Sequence, residues 1–394
     1  MANTLGVYNP IFYAQEALIQ LEKALGLASR VHMGFDAERK AFGLGDTINI
    51  RRPSTFTVED APATARDVTT ETTSLSLDKW REVKFKLTDK ELAFTGERII
   101  NDHIRPAAYA LADDIDTKLR DLYHLFPSFS VGSAPVVAAD LTQVRASMFA
   151  NQVPLQDVGN IHMMVGGQEE MELMNLEAFS QYQGAGDAGV NTQLRGSLGM
   201  KYGMEIFANQ NVKNLAAGDV STMADAVGAI DNGGTAYAAG DTSIALTGLT
   251  NSATIKVGDS IQVGSAGAYK TYAVTTAATV HASANTVTVV ISPGVKKADV
   301  AAFANAEVVT VLKQSAGNQC LAFHKNSMAL AMAPLSEMGN ELGANIATVQ
   351  DPITGLSLRS RVYYVGDSSE VHVALDVLYG VQVLDGQLGH RMSA

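Results

Sequence analysis

The feature that most constrains this chain is an abrupt change of texture past its midpoint. From about Leu215 to Ala316 the sequence is rich in Ala, Gly, Thr and Val, low in charge, and nearly free of leucine-based helical stripes. Short β-like runs recur there: Ser243 to Leu246, Thr254 to Val263, Tyr269 to Thr275, Asn285 to Ile291 and Glu307 to Leu312. Gly-containing turns separate most of them. Val257-Gly258-Asp259-Ser260-Ile261 reads as a tight turn feeding a strand. Mixed helix and strand patterns return on both sides, so the segment is predicted to be a small all-β, barrel-like domain inserted into an α+β chain.

Ahead of it, Asn9-Pro10 offers a helix cap and a first-turn proline, with Ile11, Ala14, Leu18, Leu21 and Leu25 at helical spacing and Gly26 as a stop. Ile48 and Ile50, then Phe56 and Val58 beyond Pro53, alternate with polar residues. After a Thr-rich tip at Thr69 to Thr73, a period-two stretch runs from Ser74 to Leu87. One face carries Leu75, Leu77, Lys79, Arg81, Val83, Phe85 and Leu87. As one strand it would span roughly 45 Å at ~3.3 Å per residue. The charged middle of that face predicts a projecting two-stranded arm, since a compact core cannot cover it.

The longest helix is predicted over Ile104, Ala108, Leu111, Ile115, Leu119, Leu122 and Phe126, ended by Pro127. Asp114 with Lys118 and Asp116 with Arg120 are spaced as i,i+4 pairs, and Asp113, Asp114 and Asp116 read as a solvated acidic face, not a metal site. Leu141 to Ala150 reads as helix, Ile161 to Val165 as strand, Gln168 to Ser180 as helix, and Lys201 to Ala208 as a strand pair around Gly203. Beyond the insertion, Cys320 to Phe323 and Met328 to Met332 are apolar segments flanking His324-Lys325-Asn326. Leu356 to Val365 and Val371 to Val383 read as strands.

Composition narrows the function. A chain of 394 residues, 46% of them hydrophobic, can bury two or three domain cores. Its formal net charge is -12 and its 29 Lys and Arg are scattered, the densest cluster being Lys79, Arg81, Lys84 and Lys86. A dedicated nucleic-acid binder carries a basic patch, so DNA here would be enclosed rather than gripped. No apolar run approaches the ~20 residues that cross a bilayer, and Met1 to Pro10 lacks the basic-then-apolar order of a secretory signal, which points to assembly in the cytoplasm. The single cysteine, Cys320, fits a reducing compartment.

No catalytic, cofactor-binding or metal residue is assigned. Gly184, Gly186 and Gly189 have the spacing of a dinucleotide fingerprint but lack the preceding strand and following helix, and read as a loop. At Gly166-Gly167 the first-turn Glu169 and Glu170 would repel a phosphate. The eight histidines show no ligand spacing, no Gly-x-Ser-x-Gly elbow occurs, and Cys320 lies in an apolar run.

Several strings, in order, resemble the major capsid proteins of tailed bacteriophages, the Hong Kong 97 fold, and are most similar to the branch of short-tailed Salmonella phages with an inserted β-domain. They are Gly45 to Ile48, Val83 to Leu87, Ile104 to Phe126, Gly203 to Asn209, Ala322 to Ala331 with Pro334-Leu335, Gly355 to Arg359 and Asp376 to Val381. Leu384-Asp385-Gly386 departs from the Pro-Glu pair frequent in that family. The resemblance implies an N-terminal arm (1–44), an E-loop hairpin (45–90), a P domain with its spine helix and the first part of an A domain (91–215). It further implies the inserted β-domain (216–315) and the remainder of the A and P domains (316–394). It implies pentamers and hexamers of an icosahedral virion shell, with a scaffolding protein, a portal and a decoration protein as partners. Packaged DNA would be enclosed without sequence-specific binding, with no membrane and no enzymatic activity. The N-terminal helix would be a mobile arm. Lys79, Lys84 and Lys86 have no identifiable Asn partner for cross-linking. An encapsulin-like compartment shell is the alternative, and a ligand-binding role for 216–315 is a further one.

Overall fold

A computed structural model describes residues 10–34, 47–51, 58, 60–61, 72–88, 103–181, 192–264, 269–337, 345–351 and 355–393. The chain is α+β and divides into two compact units, 1–116 with 328–384 and 117–327 with 385–394.

The first unit is organised on the Glu370–Val383 strand. Its sequence, EVHVALDVLYGVQV, is dense in β-branched and aromatic residues, and its 14 residues span about 45 Å at ~3.3 Å each. Ser357–Val365 pairs antiparallel with its first half and Met328–Ala333 with its second half. Asn345–Gln350 extends the sheet beyond Ser357–Val365, and Lys79–Thr88 pairs with residues 370–379. Thus the period-two stretch is two strands, not one. Thr72–Ser76 pairs with Thr47–Arg51 in a separate ribbon, the chain breaks at Leu77 and Asp78, and Lys79–Thr88 joins the main sheet. The expected tip at 69–71, and Phe56, lie outside the described residues. The ribbon buries Ile48, Ile50, Leu75 and Leu77 against Ala329, Ala331 and Ala333.

The Pro10–Ala24 helix packs on the Asn345–Gln350 and Ser357–Val365 strands, with Ala14, Ala17 and Leu21 fully buried. In this structure it is a docked element. The expected long helix spans Arg105–Arg120, about 24 Å at ~1.5 Å per residue, and then tightens into a 3-10 turn over Asp121–Leu125. The shorter period turns Tyr123 inward in place of Leu122.

The second unit holds a mixed seven-stranded sheet. Gly317–His324 lies between Gly389–Ser393 and Ile161–Val165; the latter runs parallel to Met204–Ala208, and Phe129–Val131 runs parallel to Gly389–Ser393. Its core includes Leu141, Val144 and Met148 of the Ala138–Ala150 helix. The expected helix from Gln168 to Ser180 is broken at Asn175 and Leu176 into Gly167–Met174 and Glu177–Ser180. Met200–Lys201 and Met204–Ala208 pair around Gly203, which has φ +73.

Between Lys213–Leu215 and Gly317–His324 the chain closes a six-stranded barrel. Its order is Ser243–Thr247, Val287–Ser292, Lys270–Val274, Ser260–Val263, Val308–Leu312, Ala226–Ile230 and back to the first. Ile244, Leu246, Ile261, Val263, Val289, Val309 and Val311 fill it, alternating with outward residues as half-buried strands require. The long expected strand from Thr254 to Val263 is divided by the turn at Gly258, leaving Thr254–Ile255 and Ser260–Val263.

Candidate functional site

In the first unit, strand register builds a layer of charge around Asp376. Glu82, Asp376 and Arg359 stand opposite one another on three neighbouring strands. Asp376 is fully buried and accepts from Arg359 Nε at 3.2 Å and Nη2 at 2.5 Å, and from Trp80 Nε1 at 3.2 Å. Arg361 bridges it at 3.3 Å to Glu82 at 2.8 Å. Trp80 is 58% exposed, with the Arg359 guanidinium 5.9 Å from its ring centroid. Lys84 lies over the Tyr363 ring at 5.1 Å, and Lys86 pairs with Glu370 at 2.7 Å. The Lys86 ammonium, with help from Ser368, holds the Glu370 carboxyl down at about 2.

The charge in the middle of the other strand face has a partner within the chain. Arg81 pairs with Asp114 of the long helix at 3.3 Å, and the buried Tyr379 hydroxyl donates to the same carboxylate at 2.6 Å. Burial, then Asp114, pushes the Tyr379 phenol up. Asp116 corrects the reading of a solvated acidic face. It is buried and accepts from the backbone N–H groups of Gly26, Leu27 and Ala28 at 2.8, 3.0 and 2.9 Å. Arg120 reaches Asp121 at 2.6 Å and the Asn211 carbonyl at 3.2 Å. A helix residue thus caps the turn that follows the N-terminal helix, a pairing 90 residues apart that helical spacing does not reveal.

Cys320 is fully buried, and burial pushes its thiol up to about 12, far from a reactive thiolate. Gly166 opens onto Glu169, whose buried carboxylate takes both bonds from Asn318 Nδ2 at 2.8 and 3.1 Å; a Cβ on Gly166 would lie 2.5 Å from it. His162 meets Glu205 at 2.6 Å and His324 meets Asp157 at 3.3 Å. Among the described residues no group of three or more His, Cys, Asp or Glu could hold a metal ion. No described helix is long and apolar enough to cross a membrane. Gly184, Gly186 and Gly189 lie outside the described residues.

A further buried charge sits where the barrel meets the sheet. Arg391, with no exposure, donates from Nη2 to the Gly258 carbonyl at 2.6 Å and from Nη1 to Gln314 Oε1 at 3.3 Å. Its guanidinium lies 5.8 Å from the Tyr123 ring and 5.2 Å from that of Phe129. Burial lowers its pKa to about 10, which leaves it charged at neutral pH. Asp376 enters the sequence reading only as the first residue of the string Asp376 to Val381, one charge in an apolar run, while Arg391 lies in Gly389-His390-Arg391-Met392-Ser393 and leaves no such signal.

No protein-family model matches the chain, and no curated protein matches it. Among solved structures, one from Mycobacterium phage Che8 is 14% identical, with 93% of this chain and 90% of that one covered at a TM-score of 0.48. The capsid structure of the cyanophage P-SCSP1u is 10% identical, covering 89% and 84% at 0.44. A virus-like particle from Pyrococcus furiosus is 9% identical, covering 97% and 98% at 0.42.

Proposed function

We propose that this chain is the major capsid protein of a tailed bacteriophage, with the Hong Kong 97 fold, assembling as pentamers and hexamers into an icosahedral shell around double-stranded DNA. The observation that carries the reading is the position of the barrel. The family-like strings Gly203 to Asn209 and Ala322 to Ala331 fall on strands that flank it, and Gly355 to Arg359 and Asp376 to Val381 fall on neighbouring strands of the other sheet. On this reading the first unit is the P domain with N-terminal arm and E-loop, and the second is the A domain with the inserted domain at 216–315.

The buried carboxylates, buried thiol and filled glycine turn support a role in structure rather than catalysis. A net charge of -12 suits a shell that encloses DNA without gripping it. A scaffolding protein, a portal and a decoration protein are the partners this role calls for, with assembly in the host cytoplasm.

Negative-stain microscopy of the protein produced alone and with its neighbouring genes tests the proposal. Closed or aberrant shells, or rings of five and six, are expected, and DNA-filled particles bearing a portal separate a phage head from a protein-filled compartment. A chain that stays monomeric under both conditions defeats the reading.

A further inference from the structure

The barrel and the sheet of the second unit keep separate apolar cores; among the described residues no buried one belongs to both. The chain leaves for the barrel at Leu215 and returns at Gly317, residues paired with each other, so the covalent link is a narrow two-stranded stem. A stem of that kind leaves the barrel's orientation open. Polar contacts cross the joint. Ser260 Oγ donates to the Pro127 carbonyl at 2.6 Å, Lys296 Nζ to Gln387 Oε1 at 2.8 Å, and Arg391 reaches across to Gly258 and Gln314.

Arg391 is an expensive way to add stability. Its hydrogen bonds go to a carbonyl and an amide rather than to a carboxylate, and its buried Nε has no hydrogen-bond partner among the described residues. An apolar side chain of similar volume generally does as well or better in such a place. What the guanidinium adds is direction, because its donors form a rigid planar fork. The receiving loop is equally fixed. Gly258 has φ +96, and a Cβ there would lie 2.4 Å from Gln314 Oε1, so the turn that presents the carbonyl requires glycine. Gln314 is held in turn by Nε2 to the Val257 carbonyl at 2.8 Å and by its own N–H to Asp259 Oδ1 at 3.1 Å.

We propose that Arg391 is a positioning residue that fixes a single seating of the barrel on the sheet of its unit, rather than a contributor to global stability. This concerns the isolated chain and does not depend on shell formation. In an assembly its consequence is that every copy presents the barrel in one orientation.

The test uses the full chain with Arg391→Met, which keeps length and removes the donors, and Arg391→Lys, which keeps charge and removes the fork. Hydrogen exchange is followed by mass spectrometry at 256–260 and 312–315, beside thermal melting. For Arg391→Met, melting is expected within about 2 °C of the parent or above it. Exchange at the two joint segments should rise about tenfold, while the Val287–Ser292 strand keeps its protection. Arg391→Lys should loosen the same segments. An Arg391→Met chain that fails to fold, or that melts far lower with barrel strands exchanging in step, overturns the proposal, as does unchanged exchange at the joint.

Discussion

Asp376 has no solvent exposure, yet two arginines and an indole converge on it, so its removal strands charge rather than merely deleting a contact. Asp376→Ala leaves the Arg359 guanidinium, 8% exposed, without its carboxylate, and about 3–5 kcal/mol of unfolding free energy should be lost. Denaturant unfolding followed by Trp80, the only tryptophan, measures it, and a loss under about 1 kcal/mol would mean the site is solvated. Asp116→Ala removes the acceptor of three backbone N–H groups and should cost about 1–3 kcal/mol by the same assay. His390 supplies a pH dependence. Its ring nitrogens lie 2.8 Å from Ser128 Oγ and 2.9 Å from Ser130 Oγ, and burial, then Arg391, lowers its pKa from 6.5 to about 4. The unfolded chain takes up the proton first. The stability this residue contributes is therefore present above pH 6.5 and is lost as pH falls from about 6.5 to about 4, amounting to about 3 kcal/mol. Urea midpoints at pH 7 and pH 4 should differ less in His390→Gln than in the parent; an equal difference assigns the effect elsewhere.

At the scale of elements, the ribbon and the long strand meet at Gly380. A Cβ there would lie 2.1 Å from the Ser76 carbonyl oxygen and 3.3 Å from the Leu77 Cα, both backbone atoms that cannot rotate aside. Gly380→Ala should therefore shift the ribbon and cost about 1–3 kcal/mol, with limited proteolysis cutting first near Leu77 and Asp78. A variant with parent-like stability and cleavage would show that the ribbon yields freely. Strands whose large apolar residues alternate were legible in the sequence, as Val287–Ser292 and Val308–Leu312 illustrate. The strand that closes the barrel, Ala226–Ile230, was not, because its inward side is mostly small. Gly228 is required there, since a Cβ would meet the Thr247 carbonyl at 2.6 Å, yet glycine lowers the strand signal. The premise that nothing in the chain covers the charged middle of the 75–87 face failed for a related reason. Period two shows which residues share a face but not which strand lies beside them, and Arg81 looked stranded because Asp114 stands on a helix elsewhere in the sequence.

At the scale of the whole molecule, the insertion is a body that the chain can enter and leave at one point. Leu215 and Gly317 are directly paired, and the barrel buries its own set of valines, isoleucines and leucines without borrowing from the sheet. Loop closure between paired residues costs little when the loop is short. Replacing 217–315 by a turn of about two to four residues should therefore preserve the Lys213–Leu215 and Gly317–His324 pairing and the sheet around it. The deletion would remove both acceptors of Arg391 together with the loops that cover it on that side. The guanidinium would then gain water in place of the two carbonyl oxygens, so no unpaired buried charge need remain. The expected product is a soluble chain with a single cooperative melt and unchanged protection in Ile161–Val165. Adding Arg391→Met to the deletion should then lower solubility, because it places an apolar side chain on a newly exposed surface. Aggregation of the deletion chain itself, with loss of protection across the sheet, would show that the sheet depends on the barrel and that the two cores are one folding unit.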